Sequence, residues 1–130
     1  MIGVDTNVLV RYMAQDDPEQ CKAVNGLFEQ ASARNKVFVS VAVVVECLWV
    51  LNGRYRITDE QAHGFIRFLH SSKKVSLERP DVFSKVLAHK GTKAKDMDGL
   101  ILAYTALDAG CSEFFTFDRR LNRLMSTKGT

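Results

Sequence analysis

Residues 37–53, VFVSVAVVVECLWVLNG, carry a single charged side chain, Glu46. KVFVS, residues 36–40, is short and β-branched and reads as a strand. Ser40 is a favoured N-cap, and the run beyond it is long enough for a helix that Asn52-Gly53 would close. That helix is apolar nearly all round, which predicts burial. A strand leading straight into a buried helix is the building unit of an α/β fold. It also sets a problem, because an ionised carboxylate buried without a partner is costly enough that it would normally take up a proton. Something is expected to face Glu46.

The rest of the chain repeats the alternation. MIGVD reads as a buried strand ending at Asp5, and TNVLVRYM as a short helix with Leu9, Val10 and Met13 on one face. In QDDPEQ, Asp17 can cap, Pro18 fits the first helical position and Gln20 has capping-box spacing, so a helix should run to about Ala33. Thr58 and Gln61 open another helix, which closes near His70; KVSLE reads as a third strand. Pro80 starts a helix that stops at Lys90-Gly91, and DMDGLILAYTALDAG is a helix closed by Gly110. EFFTFD alternates like a fourth strand ending at Asp118, and RRLNRLM is a last short helix. Strands separated by helical segments of a dozen residues predict a mainly parallel sheet flanked by helices, in one domain spanning 1–130.

The size and balance of the chain agree with an ordinary globular domain: 130 residues, 46% hydrophobic and 25% charged. No apolar run approaches the roughly 18 residues of a membrane span. The N-terminus lacks the basic start and cleavage site of a signal peptide, so a cytoplasmic location is expected. Cys21, Cys47 and Cys111 match neither a zinc pattern nor a disulfide framework and read as buried free thiols. Residues 61–130 hold twelve Lys/Arg against seven Asp/Glu, whereas residues 1–60 hold six against eight. The basic half could bind a polyanion, although a solvated surface explains the bias equally simply.

Asp5 and Asp118 each end a predicted strand, and open parallel sheets build sites along that carboxyl edge. The two should share a rim if their strands are close neighbours. Asp98 lies in the first turn of its helix, where negative charge suits the macrodipole, and Glu46 lies about a turn and a half beyond Ser40. Singly, Asp5, Asp96, Asp98 and Asp118 all have a blander explanation as caps or turn residues. Together, four carboxylates in one cleft would repel one another, and a hard divalent cation would resolve the conflict. Oxygen donors without His or Cys favour Mg²⁺ or Mn²⁺. On that reading a metal keeps Glu46 ionised.

These motifs carry a family likeness. MIGVDTNVLVRYM resembles the opening of PIN domains, especially VapC-type toxins, in which the first strand ends in Asp followed by Thr/Ser and Asn. SVAVVVECLWVL is similar to the family's Ser-plus-Glu helix, DMDGLILAYTALDAG to its Asp-x-Leu-Ile-x-Ala segment and FFTFDRRL to its Thr-Phe-Asp segment. The motifs come in family order over residues 1–121. The resemblance implies that Asp5, Glu46, Asp98 and Asp118 form the acidic site of a Mg²⁺-dependent endoribonuclease. Thr6 and Thr116 would orient ligands or water, and Asn7 would hold the Asp5 loop. Asp98 keeps the family alignment; Asp96, two residues away and so on another helix face, reads as an N-cap or a ligand through water. The family usually adds a final strand after the last helix, but RRLNRLMSTKGT offers no apolar pair for it, so four or five strands are expected.

VapC-type toxins are similar in forming homodimers silenced by a cognate antitoxin that enters the acidic cleft. Tyr12, Phe28, Trp49, Tyr55 and Phe65 are candidates for such contacts, against the commoner reading of core. Lys93, Lys95, Arg119 and Arg120 flank the acids and could hold RNA phosphates. His63, His70 and His89 lie in no motif and read as surface or core residues. Two other readings compete. A haloacid dehalogenase or receiver fold also places Asp after its first strand, but gives no reason for Glu46. A catalytically silent PIN-like module used for RNA binding or scaffolding is the non-enzymatic alternative.

Overall fold

The computed structural model describes residues 1–129, and side chains to residue 125. Three short strands, β1 (Ile2–Gly3), β2 (Val37–Val39) and β3 (Val75–Leu77), form a parallel sheet in that order. Ile2 pairs with Val37, and Val37 in turn with Val75. With all strands parallel, their carboxyl ends share one rim, from which the chain continues through Asp5, Ser40 and Glu78. Crossovers of this kind need intervening helices, and the chain supplies them.

The first helix, α1 (Thr6–Ala14), and α2 (Pro18–Gln30) join β1 to β2. After β2 come α3 (Val41–Arg54) and α4 (Asp59–Ser71); after β3 come α5 (Pro80–Ala88), a 3-10 turn at Ala94–Asp96, α6 (Met97–Asp108) and α7 (Arg119–Gly129). Three N-cap signals act where they were read, whereas Asn52-Gly53 does not close α3, which runs on to Arg54 with Tyr55 as its C-cap. The side chains of Asp17, Ser40 and Thr58 accept the N–H groups of Gln20, Val43 and Gln61, and Gln61 returns the bond to close a capping box. Gly110, with φ of +106°, ends the turn after α6. One core runs through Leu9, Phe28, Val39, Leu48, Phe65 and Phe83.

Two expectations of the fold fail. EFFTFD is not a strand: three strands are present among the described residues, not four or five. The alternation is real, but Phe115 and Phe117 stand 83% and 91% exposed, stacked edge-on against each other rather than on a sheet neighbour. Local bonds satisfy this backbone instead, with the Asp118 N–H given to Thr116 Oγ1 at 3.1 Å and the Thr116 carbonyl accepting Asn122 Nδ2 at 3.3 Å. The second failure is α3. Its Ala42, Glu46, Trp49 and Gly53, spaced four, three and four apart, form an exposed stripe. An apolar composition did not mean burial on every side: Val44, Cys47, Leu48 and Leu51 are buried, and Val41, Val43, Val45 and Val50 are half-buried against the same core.

Among smaller departures, β1 was expected to be buried, but Ile2 and Gly3 are both exposed. Of the thiols, Cys21 and Cys47 are buried but Cys111 is exposed, just past the turn that ends α6. Helix α2 stops at Gln30 rather than near Ala33, since Ala31 already has an extended backbone and tucks into the core.

Candidate active site

Asp5, at the sheet rim, is exposed and caps α1, its Oδ1 accepting the Val8 N–H at 3.1 Å. The blander reading of this residue therefore holds as a description of its hydrogen bond. Thr6 begins α1 half-buried, and Asn7 is exposed in its first turn. Glu46 projects from the exposed stripe of α3. Water can solvate it there, so no metal is needed to explain its charge, and that argument from burial falls.

Asp98 is half-buried in the first turn of α6. Its Oδ2 accepts the indole N–H of Trp49 at 2.8 Å, and its Oδ1 accepts the Gly99 N–H at 2.9 Å. Trp49 lies three residues beyond Glu46 on the same stripe, so this bond ties the Glu46 face of α3 to Asp98. No periodicity in the sequence marked Trp49 as a partner of an acid; its 67% exposure shows it is not core. Phe28 and Phe65 are core, as the commoner reading had it, and Tyr12 and Tyr55 are half-buried.

Asp118 caps α7, with Oδ1 accepting the N–H groups of Arg120 at 2.9 Å and Leu121 at 3.1 Å. Helix α7 comes beside the start of α6 at Gly99, where an added Cβ would meet Leu121 Cδ2 at an ordinary van der Waals distance of 3.4 Å. Asp96, expected to cap α6, makes no side-chain cap bond. Its carboxylate instead pairs with the Arg120 guanidinium at 3.1 Å. Lys93, Lys95, Arg119 and Arg120 are all exposed, and Lys93 and Arg120 face a common cavity. Glu78 went unnoticed in the sequence; from the end of β3 its Oε1 accepts the Val41 N–H at 2.8 Å and steadies the start of α3. His89 is buried against Tyr104, while His63 and His70 bond to Thr92 and Ser84.

The profile of the PIN domain family matches residues 2–125, almost the whole chain. The chain belongs to the PIN domain family. No curated protein and no solved structure matches it significantly. PIN domains are generally nucleases and typically depend on a divalent metal. The donor chemistry of this PIN domain suits such an ion, for its four candidate acids offer carboxylate oxygen alone. The assembly is incomplete as it stands: among the described residues, no three of His, Cys, Asp or Glu converge closely enough to hold a metal. Nor is any helix among them long and apolar enough to cross a membrane.

Proposed function

We propose that this PIN domain is a metal-dependent endoribonuclease, the toxin of a type II toxin–antitoxin pair. Family membership over residues 2–125 carries the reading. It is supported by an acid in each of the four motifs that resemble the family's and by the Trp49–Asp98 bond, which joins two of them across 49 residues of sequence. Asp5, Glu46, Asp98 and Asp118 would hold Mg²⁺ or Mn²⁺, which when bound supplies charge neutralisation at the scissile phosphate and an acidified water. Trp49 restrains Asp98, while Thr116, accepting the Asp118 N–H, fixes the approach to α7. Asp5 and Asp118 each commit one oxygen to a cap, which orients the carboxylate. The proposal extends to a homodimer silenced by an antitoxin that occupies the acidic face.

A silent RNA-binding or scaffold module is the second reading, favoured by the absence of a closed set of ligands among the described residues. One experiment separates the two. Structured RNAs are incubated with purified protein, with Mn²⁺, with Mg²⁺ and with EDTA, beside Asp98→Asn and Asp5→Asn. The nuclease reading expects cleavage that EDTA stops and that each variant lowers by at least 10²-fold. Binding without cleavage in any metal establishes the scaffold. A readout independent of turnover is available because the chain has one tryptophan: metal held by Asp98 should change Trp49 emission, and the change should disappear in Asp98→Asn.

A further inference from the structure

We propose that a second, basic pocket, joined to two of the acids through short stretches of chain, grips the phosphates of a single-stranded RNA. A cavity of about 460 Å³ lies between the turn after α5 and the first two turns of α7. Lys90 and Lys93 line it from the turn, Arg120 and Arg123 from α7, and Asp96 is the one carboxylate among its described walls. This volume falls within the range of small-ligand sites and admits one nucleotide's phosphate and sugar. Sequence alone grouped Lys93, Lys95, Arg119 and Arg120 because they flank the acids. The fold regroups them, since Lys95 and Arg119 do not line the cavity, whereas Lys90 and Arg123 do.

Three observations favour phosphate. The described lining is cationic, with Lys90, Lys93 and Arg120 facing a single Asp, and the Asp is already engaged by Arg120 at 3.1 Å. That bond uses one nitrogen of a guanidinium that carries five N–H donors in a planar fork, so Arg120 is held in place with donors to spare for a phosphate. Lys90 precedes Gly91, whose φ of +80° makes the sharp turn that brings Lys90 and Lys93 to one wall. The location is also apt. Asp96 is two residues from Asp98, and Arg120 two from Asp118, no more than about 7 Å of backbone in each case. The pocket therefore shares two short chain segments with the acids. Cations placed there also offset the repulsion that Asp98, Asp118 and Glu46 exert on any polyanion.

The inference rests on the nuclease reading for its substrate, yet it is tested without catalysis. The probe is a fluorescein-labelled 12-nucleotide single-stranded RNA, titrated with the full chain in EDTA at several salt concentrations. Lys90→Ala/Lys93→Ala is compared with wild type and with Lys22→Ala/Lys73→Ala, which removes the same charge from distant exposed positions. The pocket expects at least a tenfold loss of affinity in the first pair, less than threefold in the second, and a salt slope lower by about 1.4 in the first, from two lost phosphate contacts on a single strand. Equal losses in the two pairs overturn it. So does tighter binding of DNA of the same sequence, and so does a Glu-rich peptide that displaces the RNA as well as unlabelled RNA does, which would make the pocket a protein-docking site. RNA held by the pocket but never cleaved in Mg²⁺ or Mn²⁺ would retain this binding site and defeat the nuclease; cleavage with unaltered binding in Lys90→Ala/Lys93→Ala would do the reverse.

Discussion

The ion pair between Asp96 and Arg120 joins α7 to the start of α6, and its unequal exposure sets what it is worth. The Asp96 side chain is 9% exposed and that of Arg120 47%, at an N–O distance of 3.1 Å. Fully exposed pairs typically contribute about 0.2–1 kcal/mol, whereas breaking a fully buried one costs about 3–5 kcal/mol. This pair is half of each. Removing the exposed partner, in Arg120→Ala, strands a carboxylate that water barely reaches, and should cost about 1–2 kcal/mol. Asp96→Asn strands only a guanidinium that can turn to solvent, so about 1 kcal/mol is expected. In Asp96→Asn/Arg120→Ala the losses should fall short of their sum by about 0.5–1 kcal/mol, the coupling of groups in contact. For a domain of this length, Arg120→Ala should lower Tm by roughly 3–8 °C. Urea unfolding of the four proteins measures the cycle, and repeating it in 1 M NaCl should leave most of the coupling, since a screened surface pair would lose it. Strictly additive losses, or a cost below about 0.3 kcal/mol for Arg120→Ala, would refute the claim that α7 is fastened here.

Two further outcomes follow from titrating groups. Burial pushes the Cys47 thiol up to about 12, so roughly one molecule in 10⁴ is thiolate there at pH 8. With Cys21 also buried and Cys111 exposed, a maleimide should label one thiol per native chain quickly and all three only in denaturant; a second fast thiol, followed by mass spectrometry, would contradict the packing of α3. The Asp16 carboxyl is held below its ordinary value chiefly by the Tyr55 hydroxyl that donates to it, with Arg11 adding to the effect. A carboxyl lowered on folding contributes stability that is complete above its unfolded value near 4 and is lost as pH falls further. Tyr55→Phe should therefore destabilise the protein at pH 7 more than at pH 2, and equal losses at both would remove the bond from the account.

What the sequence showed depended on how local the physics was. Caps at Asp17, Ser40 and Thr58 and the stop at Gly110 act within a turn of themselves, so residue type and spacing sufficed to find them. The three parallel strands followed from alternation between short apolar runs and helical ones. The fourth strand did not form, because a strand also needs an edge to pair with, and alternation in EFFTFD says nothing of whether one is offered. Burial of α3 failed similarly: whether Ala42, Glu46 and Trp49 are covered depends on which elements arrive beside them. Trp49 to Asp98 and Asp96 to Arg120 cross 49 and 24 residues, and neither has a local signature. The candidate acids were legible as motifs, whereas their partners were not.

Capping and metal binding need not compete for the same acids. A carboxylate offers about four lone-pair directions. Asp5 and Asp118 each use Oδ1 alone in their caps, and the partial positive charge at a helix start lowers the cost of holding negative charge there. Two helix starts and the first turn of α6 thus supply three of the four candidate acids, each partly neutralised by backbone N–H groups without a cation. Glu46, on the exposed face of α3, has no such donor, and so gains most from a cation and is the least restrained without one. The order of sensitivity should follow: loss of Glu46 ought to weaken metal binding while leaving the fold intact, whereas loss of Asp118 should cost both, because the same oxygen that starts α7 helps to hold it.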